Sequence, residues 1–380
     1  MTAESRRSPL YNAHELRRMF EKLHIDTLLA RSGRNVAYLS GMNFPGTLGR
    51  LQDFANAPRA ALVLWPAVAE PTLLVSNIAR GLAERVSWIE DIRSYTEYVE
   101  SPYRRMGKLL RQRGLGKGRI GVERREYGVA DWAALKEELP RAELVDVTAA
   151  LEAVRNIKTS GELALLQLAA DIQDAAHREV FASARPGDTE KELHARMVAA
   201  MLRGGAEHVH GMLQSSSNPV TYGGEGEVPI QRGDAVRTDY VCYVRAYPAN
   251  LSRMAVMGPP SSEQERLYGI VRDVERATIQ QALRPDITAG EVYDFVRDHF
   301  QDAGFPEWNG SLVGHSVGVW WHQEEPMLVP GDERPLRSGM VIALEPILEG
   351  FWHVQDEILI GETPLVISDK FDTERLFEMG

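Results

Sequence analysis

The run Gly233–Gly258 reads GDAVRTDYVCYVRAYPANLSRMAVMG. Apolar residues alternate on either side of Ala246, Tyr247 and Pro248, the pattern of two β-strands around a turn. Asp239 and Asn250 stand eleven positions apart, so a hairpin would carry both side chains to one place. Three later segments offer polar groups that could meet them: Gly314-His315-Ser316, Leu344-Glu345-Pro346 and Val354-Gln355-Asp356. Two carboxylates, an imidazole and two amides make a catalytic inventory.

Working outward, a chain of 380 residues has room for two domains with sizeable cores. Its 44% hydrophobic and 26% charged content is ordinary for a globular protein. The net charge of −11 argues against a nucleic-acid partner, which would need a basic face. No apolar run approaches the roughly 18 residues of a membrane span, and MTAESRRSPLYNAHELRRMF lacks the apolar core of a secretory signal. Cys242 has no second cysteine to pair with. These features set the expectation of a cytoplasmic protein with no membrane partner and one buried thiol.

Residues 1–155 read as a mixed α/β domain. His14–Leu23 has helical spacing, and Ile25–Ala30, Ala37–Leu39, Ala60–Trp65, Thr72–Val75 and Arg119–Glu123 read as strands. A helix follows around Trp132–Leu139. Neither GxGxxG nor GxxxxGK[ST] is present, so no nucleotide site is expected here. The boundary falls near Arg155-Asn156-Ile157-Lys158. In residues 156–380, four S/T-x-x-E starts precede amphipathic runs: Thr159 with Glu162, Thr189 with Glu192, Ser262 with Glu265, and Thr288 with Glu291. The expected fold class is α+β, with helices on one face of a largely antiparallel sheet.

His315 lies in GHSVGVWWHQEEP between glycines that let the backbone approach a ligand, and His322 follows seven residues on. Glu345 ends the apolar run Met340–Leu344, so it should be buried, and a buried carboxylate needs a partner or a shifted pKa.

The hairpin, GHSVGVWWHQEEP, SGMVIALEP and VQDEILI together resemble the pita-bread superfamily of methionine aminopeptidases, prolidases, aminopeptidase P and creatinase. RNIKTSGE at 155–162 and the first domain are similar to the two-domain prolidase and creatinase members. The resemblance implies a C-terminal pita-bread domain preceded by a smaller mixed α/β creatinase/prolidase-type domain. In the superfamily's metallopeptidases five side chains hold two metal ions, and the match places three of them on Asp239, His315 and Glu345. The two bridging carboxylates fall on Asn250 and Gln355, neutral amides that are poor bridges between dications. No dinuclear site is therefore expected. The alternative is one Mn, Fe, Co or Zn ion on Asp239, His315 and Glu345.

Creatinase, the metal-free hydrolase of the superfamily, has a hairpin of the same length. Its AHNPVT segment is similar to Ser216–Thr221, but Ser217 replaces its catalytic histidine. The resemblance therefore implies hydrolysis, without a metal or other cofactor, of a C–N bond (amide, cyclic amide or amidine) in a small polar molecule. His315 or His322 would act as base and then acid. Asp239 and Glu345 would orient the imidazole or pair with a cationic substrate nitrogen. Asn250 and Gln355 would bond the substrate or an oxyanion. Ser217, Tyr222, Trp320 and Trp321 complete the expected pocket, with Asn43–Phe54 and Gly223–Val228 as lining loops; His208 and His210 are further acid–base candidates. Arg50, Arg59 and Arg104 are conceivable carboxylate binders, though surface solvation is the simpler role for each. A homodimer is implied by likeness to creatinase. The alternatives are a metal-dependent Xaa-Pro peptidase, a superfamily lyase, and a non-catalytic binding protein.

Overall fold

The computed structural model describes residues 8–42, 60–220, 225–319 and 324–380. The chain forms two compact units, Met1–Arg155 and Asn156–Gly380.

The first unit is built on a six-stranded mixed sheet. Its strands are β1 (Thr27–Ala30), β2 (Leu62–Pro66), β3 (Thr72–Ser76), β4 (Asp91–Tyr95), β5 (Arg119–Val122) and β6 (Glu143–Asp146), in the order β4-β3-β2-β1-β5-β6. The first three pair antiparallel, Leu62 opposite Leu74, while β4, β5 and β6 join parallel. Leu29, Leu62, Leu64, Leu74, Ile120 and Val122 feed one core. The segment Ala37–Leu39 is not a strand. It lies in the helix Gly33–Ser40, which Ser32 caps by accepting the Asn35 N–H and which stops at left-handed Gly41. Residues Asn35–Ser40 are all buried, so no polar face marks the helical period. Buried Glu123 fixes the entry to this helix by accepting the N–H of Ser32 at 3.0 Å and the Ser32 hydroxyl at 2.5 Å.

The second unit has two five-stranded sheets in place of the single sheet read from sequence. One runs β18-β10-β8-β7, with β9 on β8; its members are β7 (His208–Ser215), β8 (Ala235–Val244), β9 (Tyr247–Leu251), β10 (Met254–Met257) and β18 (Phe377–Met379). The other is antiparallel, in the order β12-β11-β13-β16-β17: β11 (Gly314–Ser316), β12 (Glu324–Met327), β13 (Val341–Leu344), β16 (Asp356–Leu359) and β17 (Leu365–Val366). A separate hairpin joins β14 (Ile347–Leu348) to β15 (Trp352–His353). An isolated bridge between Ser252 and Gln355 ties the two sheets together.

Helices Ser160–Ser183 and Glu190–Gly204 pack on the first sheet. Helices Ser262–Gln281 and Ala289–Asp302 pack on each other and share a core with Ile342, Leu344 and Ile358. The capping boxes at Thr159, Thr189 and Thr288 form as read. In the remaining helix the box starts one residue early, on Ser261 with Gln264. Gln264 supplies the same side-chain acceptor as a glutamate, so the rule holds with a shifted register.

The turn in the opening hairpin also differs from the sequence reading. It is Arg245-Ala246, both at positive φ (51° and 72°), and Pro248 lies inside β9 opposite Tyr243. Two left-handed residues are the backbone of a tight hairpin turn. Arg-Ala is not the usual composition, which is why Pro248 attracted the turn assignment.

Candidate active site

Each sheet supplies part of one cluster. On β8, Tyr240 and Val241 face Leu251 and Asn250 of β9, and this register brings Asn250 Nδ2 to 3.3 Å from Asp239 Oδ1. On β11, Gly314 and His315 oppose Leu344 and Ala343 of β13. Only glycine fits at 314: a Cβ there would sit 2.6 Å from the Ala343 carbonyl oxygen. This close approach lets Glu345 N–H reach the Val313 carbonyl at 2.8 Å, setting Glu345 beside His315.

Asn250 is the hub. Its amide nitrogen also lies 3.4 Å from Gln355 Oε1, and its Oδ1 lies 3.1 Å from His315 Nε2. His315 Nδ1 faces the Ser316 carbonyl at 3.0 Å. A neutral ring donates to one of these two oxygens, and the tautomer decides which. Glu345 Oε1 is 3.8 Å from His315 Nε2, beyond hydrogen-bonding distance. Burial raises the Glu345 carboxyl well above the usual range; the negative Asp239 adds to the shift and Arg237 opposes it. The shift is toward the protonated form.

Asp239, Asn250 and Glu345 line a cavity of about 580 Å³, together with Trp308, Ile347 and Glu349. Gln355 is buried behind Asn250 and does not reach the cavity. It is held by fully buried Arg253, which donates to the Gln355 carbonyl at 2.7 Å and pairs with Asp174 and Asp356 at 2.9 Å each.

The structure thus brings together Asp239, Asn250, His315, Glu345 and Gln355. Ser217 stands apart, donating to Asp234. His208 of β7 stacks on Tyr243 of β8, His210 lies tilted against the same ring, and neither lines the cavity. His322, Tyr222, Trp320 and Trp321 lie outside the described residues, as do Arg50, Arg59 and the loop Asn43–Phe54. Gly223 and Gly224 are outside them too, and the rest of Gly223–Val228 does not line the cavity. Arg104 pairs with Glu137 at 2.6 Å within its own unit. Cys242 is buried, with its thiol on the Ala169 carbonyl.

Several contributors escaped the sequence reading. Glu357 accepts the Asn250 N–H at 2.8 Å, and burial raises its carboxyl to about 8. Its place one residue beyond Asp356 in VQDEILI was the available signal. Trp308 and Glu349 come from loops and Ile347 from a two-residue strand, all too short of period to announce them.

A two-ion centre does not fit this donor set. At the two positions where bridging carboxylates would stand, Asn250 presents amide protons to Asp239 and Gln355. Cations need lone pairs there. Among the described residues, no three His, Cys, Asp or Glu side chains form a group that could hold a metal ion.

The two-sheet unit with its cluster defines a pita-bread hydrolase domain, and in the chain it follows a smaller α/β domain of the creatinase type. The chain belongs to metallopeptidase family M24, whose model matches residues 164–369, over half of its length. The creatinase/prolidase N-terminal domain matches residues 14–157. An uncharacterized peptidase of Bacillus subtilis, YqhT, is 27% identical over 369 residues, covering 92% of this chain and 94% of that protein. A Xaa-Pro dipeptidase of Lactobacillus helveticus is 26% identical over 359 residues, covering 91% and 94%. In fold, the chain is similar to a Xaa-Pro dipeptidase from Bacillus anthracis, with a TM-score of 0.80, 23% identity and full coverage of both chains. It is accordingly a hydrolase acting on C–N bonds. Among the described residues, no helix is long and apolar enough to cross a membrane.

Proposed function

We propose that this chain hydrolyses the amide C–N bond of a small peptide, with Xaa-Pro dipeptides as the substrate class. The curated relatives support this class over the amidines and cyclic amides that likeness to creatinase implies. The observation that carries the chemistry is that Asp239 and Glu345 line one cavity, where burial pushes the Glu345 carboxyl up. Its volume of about 580 Å³ is within the usual range for small-molecule sites.

Burial pushes the Glu345 carboxyl up, which suits it to the acid role and leaves the role of base to Asp239. Asp239 takes a proton from water as the water oxygen bonds to the carbonyl carbon. Glu345 gives its proton to the departing nitrogen as the C–N bond breaks, and is reprotonated with the proton that Asp239 took. His315 Nε2 lies against Asn250 Oδ1, and the Asn250 amide nitrogen lies against Asp239 and orients its carboxylate.

The second reading is a peptidase that uses a divalent ion. The family and the named relatives favour it; the amides at 250 and 355 oppose the two-ion form. The purified chain should be incubated with Mn, Fe, Co or Zn, desalted, analysed by plasma mass spectrometry and assayed on Ala-Pro and Leu-Pro. Hydrolysis that persists with less than one ion per chain is the outcome the side-chain mechanism requires. Activity abolished by a chelator and restored by an ion would transfer the chemistry to the metal. Inert Xaa-Pro dipeptides would remove the substrate class.

A homodimer is inferred from likeness to creatinase, and light scattering decides it. A cytoplasmic setting is inferred from the single cysteine, Cys242.

A further inference from the structure

We propose that the side-chain amide of Asn250 does in this chain what a bound cation would do, holding together the oxygens that converge on it. The native site then needs no divalent ion, and Asn250→Asp would make it need one. This role does not depend on which bond the chain cuts.

Three oxygens face Asn250 Nδ2. Asp239 Oδ1 stands at 3.3 Å, the Tyr240 carbonyl at 3.4 Å and Gln355 Oε1 at 3.4 Å. A carboxylate and a main-chain carbonyl only accept hydrogen bonds, so the amide nitrogen, which donates, belongs on their side. The Asn250 oxygen is turned the other way, to His315 Nε2 at 3.1 Å. The positive end of the amide dipole therefore lies where electronegative atoms converge from both sheets.

The surroundings hold this arrangement fixed. Asn250 is 1% exposed, is paired with Val241 of β8, and gives its main-chain N–H to Glu357 at 2.8 Å. Asp239 is held in register by Met212 of β7. Gln355 is fully buried, its carbonyl on Arg253 at 2.7 Å and its backbone bridged to Ser252 of the other sheet. Strands fixed on two sides leave the oxygens little room to move apart.

An aspartate at 250 would keep the shape of the asparagine and set an oxygen where the nitrogen now stands. Four oxygens, two of them on carboxylates, would then meet with no proton donor among them. A buried charge left uncompensated is strongly destabilising, and a cluster of oxygens is what a hard divalent ion binds. The pita-bread resemblance implies a bridging carboxylate and two ions at this place. Here one proton donor stands in for both the ligand and its ion.

The test is thermal unfolding of the full chain and of Asn250→Asp, each in a chelator and in manganese or cobalt chloride. Ion content is read by plasma mass spectrometry after desalting. The native chain should melt at the same temperature in all three and retain less than one ion. Asn250→Asp should melt below it in the chelator and gain about 5–10 °C with an ion at about a hundredfold its Kd. Should the variant not fold in the chelator, refolding with and without the ion reads the same dependence. A native chain stabilised by either ion, or a variant indifferent to both or unfolded in their presence, would overturn the role. Inert Xaa-Pro dipeptides beside the expected melts would sink the peptidase reading alone. Cleavage of those dipeptides by a native chain that the ions stabilise would do the reverse.

Discussion

At the scale of the residue, the proposed reaction turns on Glu345, whose burial beside Asp239 favours the proton it is proposed to give away. Glu345→Gln keeps shape and neutrality but removes that proton. Turnover should fall by about a hundredfold to ten-thousandfold with little change in KM, and the melting temperature should hold near neutral pH. Steady-state kinetics and a thermal melt check both, and an active variant would dismiss Glu345 as the acid. This site was largely legible in the sequence, because Asp239, Asn250, His315, Glu345 and Gln355 each sit in or beside a strand whose alternation fixes the register. Trp308 and Glu349 were not, because loop residues meet through three-dimensional closure and carry no period.

At the scale of the element, β16 carries a buried carboxyl group, Glu357, raised from 4.5 to about 8 chiefly by burial, and helix Ser160–Ser183 carries Glu162, raised to about 7. The sign follows from linkage. Below the unfolded value both states hold the proton and the fold keeps its full stability. As pH rises, the unfolded chain releases the proton first, so stability falls until the folded values are passed. Melting temperature should therefore decline between about pH 5 and about pH 8, and Glu357→Gln should flatten that decline while still accepting the Asn250 N–H. Melts of both proteins across the range would show it, and parallel slopes would refute it. Capping boxes were readable because they are local chemistry. Helix Gly33–Ser40 was not, because its buried residues leave a short apolar run that suits a strand equally well.

At the scale of the whole molecule, each unit holds a core of its own. We propose Arg155 and Asn156 as the division between two domains that fold separately. A fragment from Asn156 to Gly380 should give a cooperative melt and a far-ultraviolet spectrum of mixed helix and strand. A fragment without a transition would show that the second unit needs the first. The change of character near Arg155 could be read from the capping signals that begin at Thr159. The division of the second unit into two sheets could not, since strand pairing between distant segments leaves no local mark.

The amide at the hub also has a chemical lifetime. Spontaneous conversion of asparagine to aspartate begins when the next backbone nitrogen attacks the side-chain amide, a step favoured by a small neighbour and a mobile chain. Asn250 is followed by Leu251, both are buried, and both are paired into β9. Ageing is thus slowed at the position where the pita-bread resemblance implies a bridging carboxylate, so time in solution does not supply that carboxylate here.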